Sequence, residues 1–396
     1  MTVSPVILGS DENAYGFAKI FYDEYGIKPL LLCSKELVFT SHSRILTRKI
    51  ISALDTPDVF LKTVLPILKG LCEKGKRILL FPCSDYYAEL VALSSRELTP
   101  YVENPLLSPE VFEKIRDKEA FYATCKKHGL PYPETLVCLP TSICGDESPF
   151  GYPVVVKPKN SNSYSYLHAD INDRKKVYIC KSKAEFTEVI KSFIDAAFNE
   201  KIIVQRYVDG GDADMLTVNA YCDKHGKARL VGAGAPLLSY RDPSSLGNYA
   251  AIKTVKNRSV CDTVCDFLEK IGYQGIANFD LKRDPKTEKY LFFEINPRAG
   301  RSSYFMRSAG ADLVTETVRD CIENEPLTER KYAENDDAFW SDIPLSTLKK
   351  YVSSEEIGKL RPDYAVSLKY DFSPIRFAKL AYAAYKKDRL FEAYSE

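Results

Sequence analysis

The chain has 396 residues with 55 basic and 54 acidic side chains, and its net charge of +1 gives no reason to expect nucleic acid or another strongly charged partner. Eleven scattered cysteines without a C-x-x-C pair, beside only four histidines, argue against a zinc site or a disulfide framework and favour reduced thiols. This length accommodates two or three domains with cores of their own.

No segment of the sequence predicts a membrane protein. The amino terminus, MTVSPVILGSDE, lacks the basic region and apolar core of a signal peptide. No run of about eighteen consecutive apolar residues is present that could span a bilayer. We therefore expect a cytoplasmic protein without stable membrane insertion.

The first 108 residues repeat a strand, turn and helix pattern that is typical of a small open parallel sheet. Strands are predicted at 6–8, 29–33 and 77–82, and helices follow at 59–73 and 85–98. No G-x-G-x-x-G follows the first strand, so a dinucleotide fingerprint is absent. Polar pairs at two strand ends, Ser10 with Asp11 and Ser84 with Asp85, are candidates for contact with a ligand or, alternatively, for turn capping.

Residues 109–325 predict a mixed α+β region. Ser108-Pro109-Glu110 is a helix-start signal, and two helices are expected before Gly129. Further strands are predicted at 152–158, 202–207, 215–222, 228–233, 277–282 and 290–295, and helices at 181–198 and 260–271. Cys261 and Cys265 lie one helical turn apart, which favours helix packing over metal binding.

The end of the chain has weaker patterns. It is charged and irregular from 325 to 337, and the signals of secondary structure at 343–348 and 364–370 are weak. Residues 375–394 are rich in Lys, Arg, Tyr and Phe at helical spacing. A packed helix with a basic side is the main interpretation, and a membrane-surface helix is the alternative.

The most informative segment is a predicted hairpin over 275–303. Alternate residues of a strand share one face, so Asp280 on the first strand is expected near Glu294 and Asn296 on the second. Two carboxylates and an amide oxygen suit Mg²⁺, which commonly bridges to nucleotide phosphates. Arg298 and Arg301 follow directly, and their guanidinium groups match phosphate or acyl-phosphate oxygens. The alternative is an ordinary acid-rich surface hairpin.

Taken together, Lys118, Lys157, the segment 205–212, Asp280 and the E-I-N-P-R sequence at 294–298 resemble the ATP-grasp superfamily. The resemblance implies an ATP-grasp fold behind an amino-terminal, Rossmann-like parallel-sheet domain. It also implies four parts: an α/β domain at 1–108, linker helices and a small subdomain at 109–210, a large subdomain with the metal hairpin at 211–325, and an extension at 326–396.

The resemblance assigns roles residue by residue. In this superfamily two lysines on strands of the small subdomain contact the nucleotide phosphates, which implies this role for Lys118 and Lys157. Adenine would meet the chain around Gln205, Arg206, Tyr207 and Val208, and ribose would meet Asp212, with Asp209 as a less favoured substitute. Asp280, Glu294 and Asn296 would hold magnesium ions, two in number, for which Mn²⁺ could substitute. Arg298 would stabilise an acyl-phosphate intermediate.

One segment departs from the pattern. Many relatives carry a glycine-rich loop over the phosphates, whereas this chain has KPKNSNSYSYL from residue 157. Ser161 and Ser163, with their backbone amides, are the candidates for covering the phosphates within 159–165.

A narrower resemblance spans nearly the whole chain, from VILGSDENAYGFAKIFYDEYG to EINPRAGRSSYF, and is to the D-aspartate ligases of Gram-positive bacteria. It implies that ATP activates the β-carboxylate of D-aspartate, that the lysine ε-amine of a muropeptide is the acceptor in peptidoglycan biosynthesis, and that ADP and phosphate are released. It leaves a homodimer open. Alternatives are an amino-acid or dipeptide ligase with another acid and amine, and a non-catalytic nucleotide-binding module.

The acid substrate is expected beside the metal hairpin. Arg301, with Ser302 and Ser303, follows the hairpin directly and is the predicted carboxylate-binding group. Asn248 and Tyr249 are predicted to complete this pocket. Ordinary loop packing is the alternative for these side chains.

Overall fold

The computed structural model describes residues 3–143, 147–159, 164–171, 173–242, 245, 247–325 and 327–394. The chain divides into two compact units. The first unit consists of Met1–Glu113, Asp212–Asp280 and Ile295–Glu396, and the second consists of Lys114–Gly211 and Leu281–Glu294. The four-part division expected from the sequence is a finer one and stays a prediction.

The chain begins with the parallel sheet that the sequence predicts. Its elements are β1 (Val3–Leu8), α1 (Glu12–Tyr25), β2 (Leu30–Cys33), β3 (Thr47–Ile50), α2 (Pro57–Cys72), β4 (Arg77–Pro82), α3 (Asp85–Leu93), α4 (Ser95–Leu98) and α5 (Pro109–Phe112). The strand order is β3-β2-β1-β4, and every pair is parallel. Strand β3 was not predicted, because its sequence TRKI is polar and its residues are exposed.

The second unit is built on an antiparallel sheet. Its elements are α6 (Lys118–His128), β5 (Thr135–Cys138), β6 (Val154–Pro158), α7 (Tyr164–His168), β7 (Tyr178–Cys180), α8 (Lys183–Asp195) and β8 (Ile202–Arg206). The strand order is β5-β8-β6-β7. Helix α8 places Phe186, Ile190 and Phe193 on one face, at the spacing of an amphipathic helix, and packs them with Val154 and Val156 of β6.

The rest of the chain forms a large mixed sheet with its helices. The elements are β9 (Met215–Cys222), β10 (Ala228–Ser239), β11 (Tyr249–Val255), α9 (Arg258–Ile271), β12 (Gly275–Arg283), β13 (Tyr290–Asn296), α10 (Phe305–Ser308), α11 (Leu313–Val318), β14 (Lys331–Ala333), β15 (Ala338–Ser341), α12 (Leu345–Tyr351), α13 (Ser354–Ile357), β16 (Arg361–Asp363) and α14 (Pro374–Ala393). The strand order is β13-β12-β9-β10-β11-β15-β16, and β14 pairs with β10.

One expectation about the end of the chain is wrong. The stretch 325–337, expected to be irregular, contains β14, which pairs in parallel with residues 230–232 of β10. The segment 364–370 contains neither a helix nor a strand. The three residues of β14 alternate over too short a length to be recognised as a strand in a charged sequence. The long helix predicted at the end of the chain is confirmed as α14.

The ten cysteines that the structure describes are free thiols, and most of them are buried. Cys261 and Cys265 lie on the buried face of α9, as the helical spacing predicts. Burial raises the pKa of the thiols of Cys125 and Cys180 in the second unit. Burial also raises the pKa of Cys222 and Cys265 in the first unit. None of the helices in the described part of the chain is both long enough and apolar enough to cross a bilayer.

Candidate active site

A buried lysine lies inside the sheet of the second unit. Lys157 on β6 is 9% exposed, and its Nζ donates a hydrogen bond of 3.1 Å to Oε1 of Gln205 on the adjacent strand β8. The Gln205 amide is itself fixed, because its Nε2 donates to the hydroxyl oxygens of Tyr122 at 3.0 Å and Thr135 at 2.7 Å. The structure therefore brings together two residues that the sequence singled out, Lys157 and Gln205.

The other predicted phosphate-binding lysine begins a helix and does not lie on a strand. Asp117 caps α6 by accepting a hydrogen bond of 3.0 Å from the backbone N of Ala120, which makes Lys118 the first helical residue. The strand that the resemblance implies at this position is therefore wrong, whereas the helix that the residue pattern predicts before Gly129 is confirmed. Lys118 Nζ donates to Oε1 of Glu294 at 2.7 Å, so the lysine meets one of the predicted metal-binding acids.

In the protein alone, the acidic side chains near Lys157 do not fully compensate the positive charge of its amine. Burial lowers its pKa to about 7, repulsion by Lys118 acts in the same direction, and attraction by Glu294 offsets only part of the effect. An anionic ligand beside the two amines would reverse this balance and favour the charged lysine. The residues present therefore fit the phosphates of a nucleotide, with Lys157 and Lys118 as the groups that would hold them.

The end of β8 is the segment for which adenine contacts are predicted. The guanidinium of Arg206 pairs with the buried carboxylate of Asp284 at 2.8 Å. The backbone oxygen of Val208 accepts a hydrogen bond of 3.0 Å from Lys282 Nζ, and this amine lies 5.7 Å from the centre of the Tyr207 ring. These contacts anchor the segment inside the second unit, and its binding to adenine stays a prediction.

In the first unit, a chain of hydrogen bonds orients Asn296. Its Nδ2 donates to Oδ1 of Asn278 at 3.0 Å, and Nδ2 of Asn278 donates to Oγ1 of Thr217 at 2.8 Å. Because Nδ2 of Asn296 is engaged in this way, its oxygen is the atom available to a hard cation. Asp280 accepts a hydrogen bond of 3.3 Å from the hydroxyl of Tyr249, so Tyr249 contacts a predicted metal ligand.

The three predicted metal ligands are divided between the units. Asp280 and Asn296 belong to the first unit and Glu294 belongs to the second. Two carboxylates and an amide oxygen have the donor chemistry of a magnesium site that also uses phosphate oxygens. The donor set therefore fits Mg²⁺, and its joint binding by the three side chains stays a prediction.

Arg298, predicted to act on the acyl phosphate, lies against a residue of the amino-terminal sheet region. Its Nε donates to Oδ1 of Asp85 at 2.6 Å, and its Nη1 donates to the backbone oxygen of Ala299 at 2.9 Å. The Asp85 side chain is 65% exposed, so solvent screens this ion pair. The exposed Asp85 is therefore a weak competitor for an anion bound at Arg298.

The remaining polar residues at the strand ends are turn and cap residues. Asp11 accepts a hydrogen bond from the backbone N of Ala14 and caps α1, and Ser84 accepts one from Tyr87 and caps α3. The hydroxyl of Ser10 donates to a backbone oxygen at 2.6 Å. The turn-capping alternative is therefore confirmed for Asp11 and Ser84.

Arg301, the predicted carboxylate-binding residue, is partly exposed and has partners within the first unit. Its Nη2 lies 3.4 Å from Oδ2 of Asp342, whose side chain is completely buried. Its guanidinium also lies 5.7 Å from the centre of the Tyr240 ring. One-third of the Arg301 side chain is exposed.

The other predicted substrate residues have different surroundings. Ser302 and Ser303 are both buried, and the hydroxyl of Ser303 donates to Oδ1 of Asn13 at 3.2 Å. Asn248 donates through Nδ2 to the backbone oxygen of Ser245 at 3.0 Å. In the protein alone, the side chains of Ser303 and Asn248 each donate a hydrogen bond within the chain. Their contact with a substrate stays a prediction.

The candidate ribose residues lie in different units. Asp212 belongs to the first unit, and its Oδ2 accepts a hydrogen bond of 3.1 Å from the backbone N of Ser239. Asp209 belongs to the second unit. The predicted phosphate-covering residues Ser161 and Ser163 lie outside the described residues.

Several supporting residues were missed from the sequence: Tyr122, Thr135, Thr217, Asn219 and Asp342. Thr217 and Asn219 could have been found, because two polar residues alternate within the apolar strand sequence MLTVNAYC and are at most 1% exposed. A buried polar side chain needs a hydrogen-bond partner, so this alternation indicates a supporting role.

Gly300 gives a test of the support around Asn296. Its backbone N donates to Oδ1 of Asn219 at 3.1 Å, and a Cβ at this position would lie 2.8 Å from Nδ2 of Asn278. We expect Gly300→Ala to displace Asn278 and with it Asn296, and to lower kcat/KM for ATP by about a hundredfold. Gly70→Ala on α2, where a Cβ meets nothing within 4 Å, is the control. Equal activity of the two variants would contradict a role for the Asn278–Asn296 contact.

Comparison with known proteins identifies the family. Residues 117–329 match the model of a family described as the ATP-binding domain of the carbamoyl-phosphate synthase L chain. The D-aspartate ligase of Enterococcus faecium is 36% identical over 364 residues, which cover 90% of this chain and 86% of that protein. A carbamoyl phosphate synthase large chain from Pyrococcus furiosus is 26% identical over 204 residues, which are 49% of this chain and 18% of that one.

Solved structures with low sequence identity share the fold. The L-amino acid ligase from Bacillus licheniformis has a TM-score of 0.58 at 13% identity, and the match covers 85% of this chain and 78% of that one. The biotin carboxylase domain of the Hydrogenobacter thermophilus 2-oxoglutarate carboxylase, solved with MgADP, ADP and bicarbonate, has a TM-score of 0.59 at 15% identity, covering 86% and 74%. The chain therefore belongs to the ATP-grasp superfamily and, within it, to the family of D-aspartate ligase, and it is an ATP-dependent ligase that joins a carboxylate to an amine.

Proposed function

We propose that this ligase activates the β-carboxylate of D-aspartate and joins it to the lysine ε-amine of a peptidoglycan precursor. The observation that carries the proposal is the identity of 36% over 90% of the chain with a D-aspartate ligase. Activity in the cytoplasm, where ATP and the precursor would be present together, forms part of the same proposal.

The chemistry has two steps. A carboxylate oxygen of the acid attacks the γ-phosphorus of ATP, the bond to the β-phosphate oxygen breaks, and ADP leaves. The amine then attacks the carbonyl carbon of the acyl phosphate, inorganic phosphate leaves, and the amine loses a proton as the amide forms. Both steps need positioning and neutralisation of charge more than covalent help from the protein.

The cationic side chains would supply that neutralisation. Lys157 and Lys118 lie in the second unit and would hold the phosphates, because burial and the repulsion by Lys118 lower the pKa of Lys157 and an anionic ligand would offset both effects. Arg298 would stabilise the acyl phosphate after exchanging its exposed partner Asp85 for the substrate anion.

Asp280, Glu294 and Asn296 would hold magnesium, in a pair of ions for which Mn²⁺ could substitute. The metal would neutralise charge on the phosphates and orient them for in-line transfer. The hydrogen bond from Asn296 to Asn278 supports this assignment, because it fixes which amide atom faces a cation.

The acid would be bound by Arg301, with Ser302, Ser303 and Asn248 completing the pocket. The partial exposure of the Arg301 side chain supports this role, because a guanidinium matches the geometry of a carboxylate that enters from solvent. The amine acceptor would be a lysine-containing muropeptide.

The test is ATP-dependent phosphate release with Mg²⁺ and each of D-Asp, L-Asp, D-Glu, D-Ser, Gly and L-Ala, with and without a lysine-containing UDP-muropeptide. We expect turnover with D-Asp together with the muropeptide. Turnover with another acid would contradict the D-aspartate assignment. Full turnover with single amino acids and no muropeptide would instead indicate a dipeptide-forming ligase.

A further inference from the structure

Five side chains from five separate parts of the first unit meet around Arg301, and we call them the Arg301 cluster: Glu12, Tyr240, Arg301, Asp342 and Lys387. Glu12 begins α1, Tyr240 follows β10, Asp342 follows β15, and Lys387 lies on α14. Lys387 Nζ is 2.8 Å from Oδ2 of Asp342, and the hydroxyl of Tyr240 donates to both Asp342 oxygens at 2.9 Å.

The distances determine how Asp342 is shared between two cations. Lys387 is the nearer partner, at 2.8 Å, and Arg301 is the more distant one, at 3.4 Å from the same oxygen. The Lys387 side chain is 15% exposed and the Arg301 side chain is 33% exposed. Because Lys387 compensates most of the charge on Asp342, Arg301 keeps positive charge for a second anion.

Glu12 is the acid of the cluster whose charge is least well compensated. It is 2% exposed, and its Oε2 has no hydrogen-bond partner among the described residues. Lys387 Nζ lies 3.7 Å from this oxygen, beyond hydrogen-bond distance. Burial raises the pKa of Glu12 to about 7, the Asp342 carboxylate raises it as well, and the cations Lys387 and Arg301 act in the opposite direction.

We infer that Glu12 and Lys387 are positioning residues that set the orientation and charge of Arg301 for the carboxylate of the amino-acid substrate. The inference rests on the role proposed above for Arg301. It makes helix α14 a part of the acid site through Lys387. Without Lys387, the buried Asp342 would draw Arg301 into a close pair and neutralise the group that the substrate needs.

The charge of the cluster gives the direction of a pH effect. With Glu12 protonated, the cations Arg301 and Lys387 face one anion, Asp342, and the net charge is positive. With Glu12 ionised, the charges balance. Binding of a carboxylate should therefore weaken as the pH rises through about 7.

Other titratable and polar groups also face the cluster. The Asp11 carboxylate raises the pKa of the Arg301 guanidinium. Asn13, Ser303, Tyr304 and Asp312 line a small cavity together with Glu12 and Arg301. Asn13 and Ser303 do not titrate, and burial raises the pKa of Tyr304 further above its ordinary value, away from neutrality. Burial raises the pKa of both Asp11 and Asp312, so Glu12→Gln is needed to assign the pH effect to Glu12.

The experiment measures KM for D-aspartate by phosphate release, with ATP, Mg²⁺ and UDP-muropeptide saturating, from about pH 6 to about pH 8.5. For the wild type we expect KM to rise about tenfold across this range, since one charge on the cluster is changed. Glu12→Gln should hold KM at its low-pH value throughout. KM for ATP, whose pH dependence includes the titration of Lys157, should be the same in the wild type and in Glu12→Gln at each pH.

Lys387 is tested with a neighbour as control. Lys387→Met should raise KM for the acid about tenfold or more at pH 7, and Lys387→Arg should restore it. Lys386→Met, at the adjacent exposed position on α14, should leave KM unchanged. Circular dichroism and thermal unfolding show whether each variant is folded. If Lys387→Met is not folded, the pH profile of KM in Glu12→Gln decides whether the inference holds.

The outcomes separate this inference from the proposed function. Absence of turnover with D-aspartate in the wild type would contradict the proposed function, and the same measurements would then be made with whichever acid supports turnover. A KM for the acid that is independent of pH in the wild type and identical in Glu12→Gln would overturn the inference. An equal KM in folded Lys387→Met and Lys386→Met would also overturn it.

Discussion

Glu294→Gln is expected to lower ATP-dependent ligation on the order of a thousandfold, because it removes the charge of a predicted metal ligand while keeping the shape of the side chain. The substitution also removes the ionic partner of Lys118 at 2.7 Å. Phosphate release at saturating substrates measures the loss, and circular dichroism checks that the fold is kept. Asp280→Asn should have an effect of similar size.

A control variant and a Mg²⁺ titration show whether the loss in Glu294→Gln comes from metal binding. Glu288→Gln removes an acid that lies in the turn of the same hairpin and pairs with Arg283 at 2.9 Å, and it should retain full activity. A titration with Mg²⁺ separates the two roles of Glu294, because a lost metal ligand raises the Mg²⁺ concentration needed for half-maximal rate. A near-normal rate in Glu294→Gln would refute the metal assignment.

Lys157→Met should lower kcat/KM for ATP on the order of a thousandfold, since it removes a buried cation predicted to contact the phosphates. The loss should be larger than that caused by Lys201→Met, which changes an exposed lysine whose partner is Glu119 at 2.7 Å. Comparable activity of these two variants would contradict the assignment of Lys157 to the nucleotide.

The same substitution is expected to stabilise the nucleotide-free protein. Burial lowers the pKa of Lys157 from the ordinary lysine value of 10.5 to about 7. Below pH 7 the amine is charged in both folded and unfolded chains, so the desolvation penalty is fully present. Between about pH 7 and 10.5 the unfolded chain binds more protons, and the stability of the wild type rises with pH. The gain in Tm of Lys157→Met should therefore shrink over this range in thermal unfolding experiments.

Much of the fold could be predicted from the sequence because its signals are local. The alternation of apolar strands and amphipathic helices gave the amino-terminal parallel sheet, and Met215–Cys222 and Arg77–Pro82 were predicted to the residue. Strand β10 extends six residues beyond its predicted end, to Ser239 instead of residue 233. The glycines and proline of GAGAP are turn signals in isolation, and pairing with strands on both sides overrides them.

Some residues of the candidate site could be identified from local sequence patterns, and others could not. Lys157 could be identified because it ends an apolar strand, and the acids of the hairpin because strand alternation groups them. Glu12, Asp342 and Lys387 could not be identified, since they are far apart in the sequence and each alone is an ordinary charged residue. Lys118 was assigned to a strand by resemblance alone, and the cap provided by Asp117 makes it the start of a helix.

The buried thiols have a consequence for measuring local opening of the chain. A maleimide or iodoacetamide reacts with the thiolate, so a buried cysteine with a raised pKa is alkylated only when the structure around it opens. Cys125 and Cys180 would report on the second unit, and Cys222 and Cys265 on the first. Mass spectrometry of alkylated peptides, with and without ATP, would thus time the opening of each unit separately in the unmodified wild-type chain.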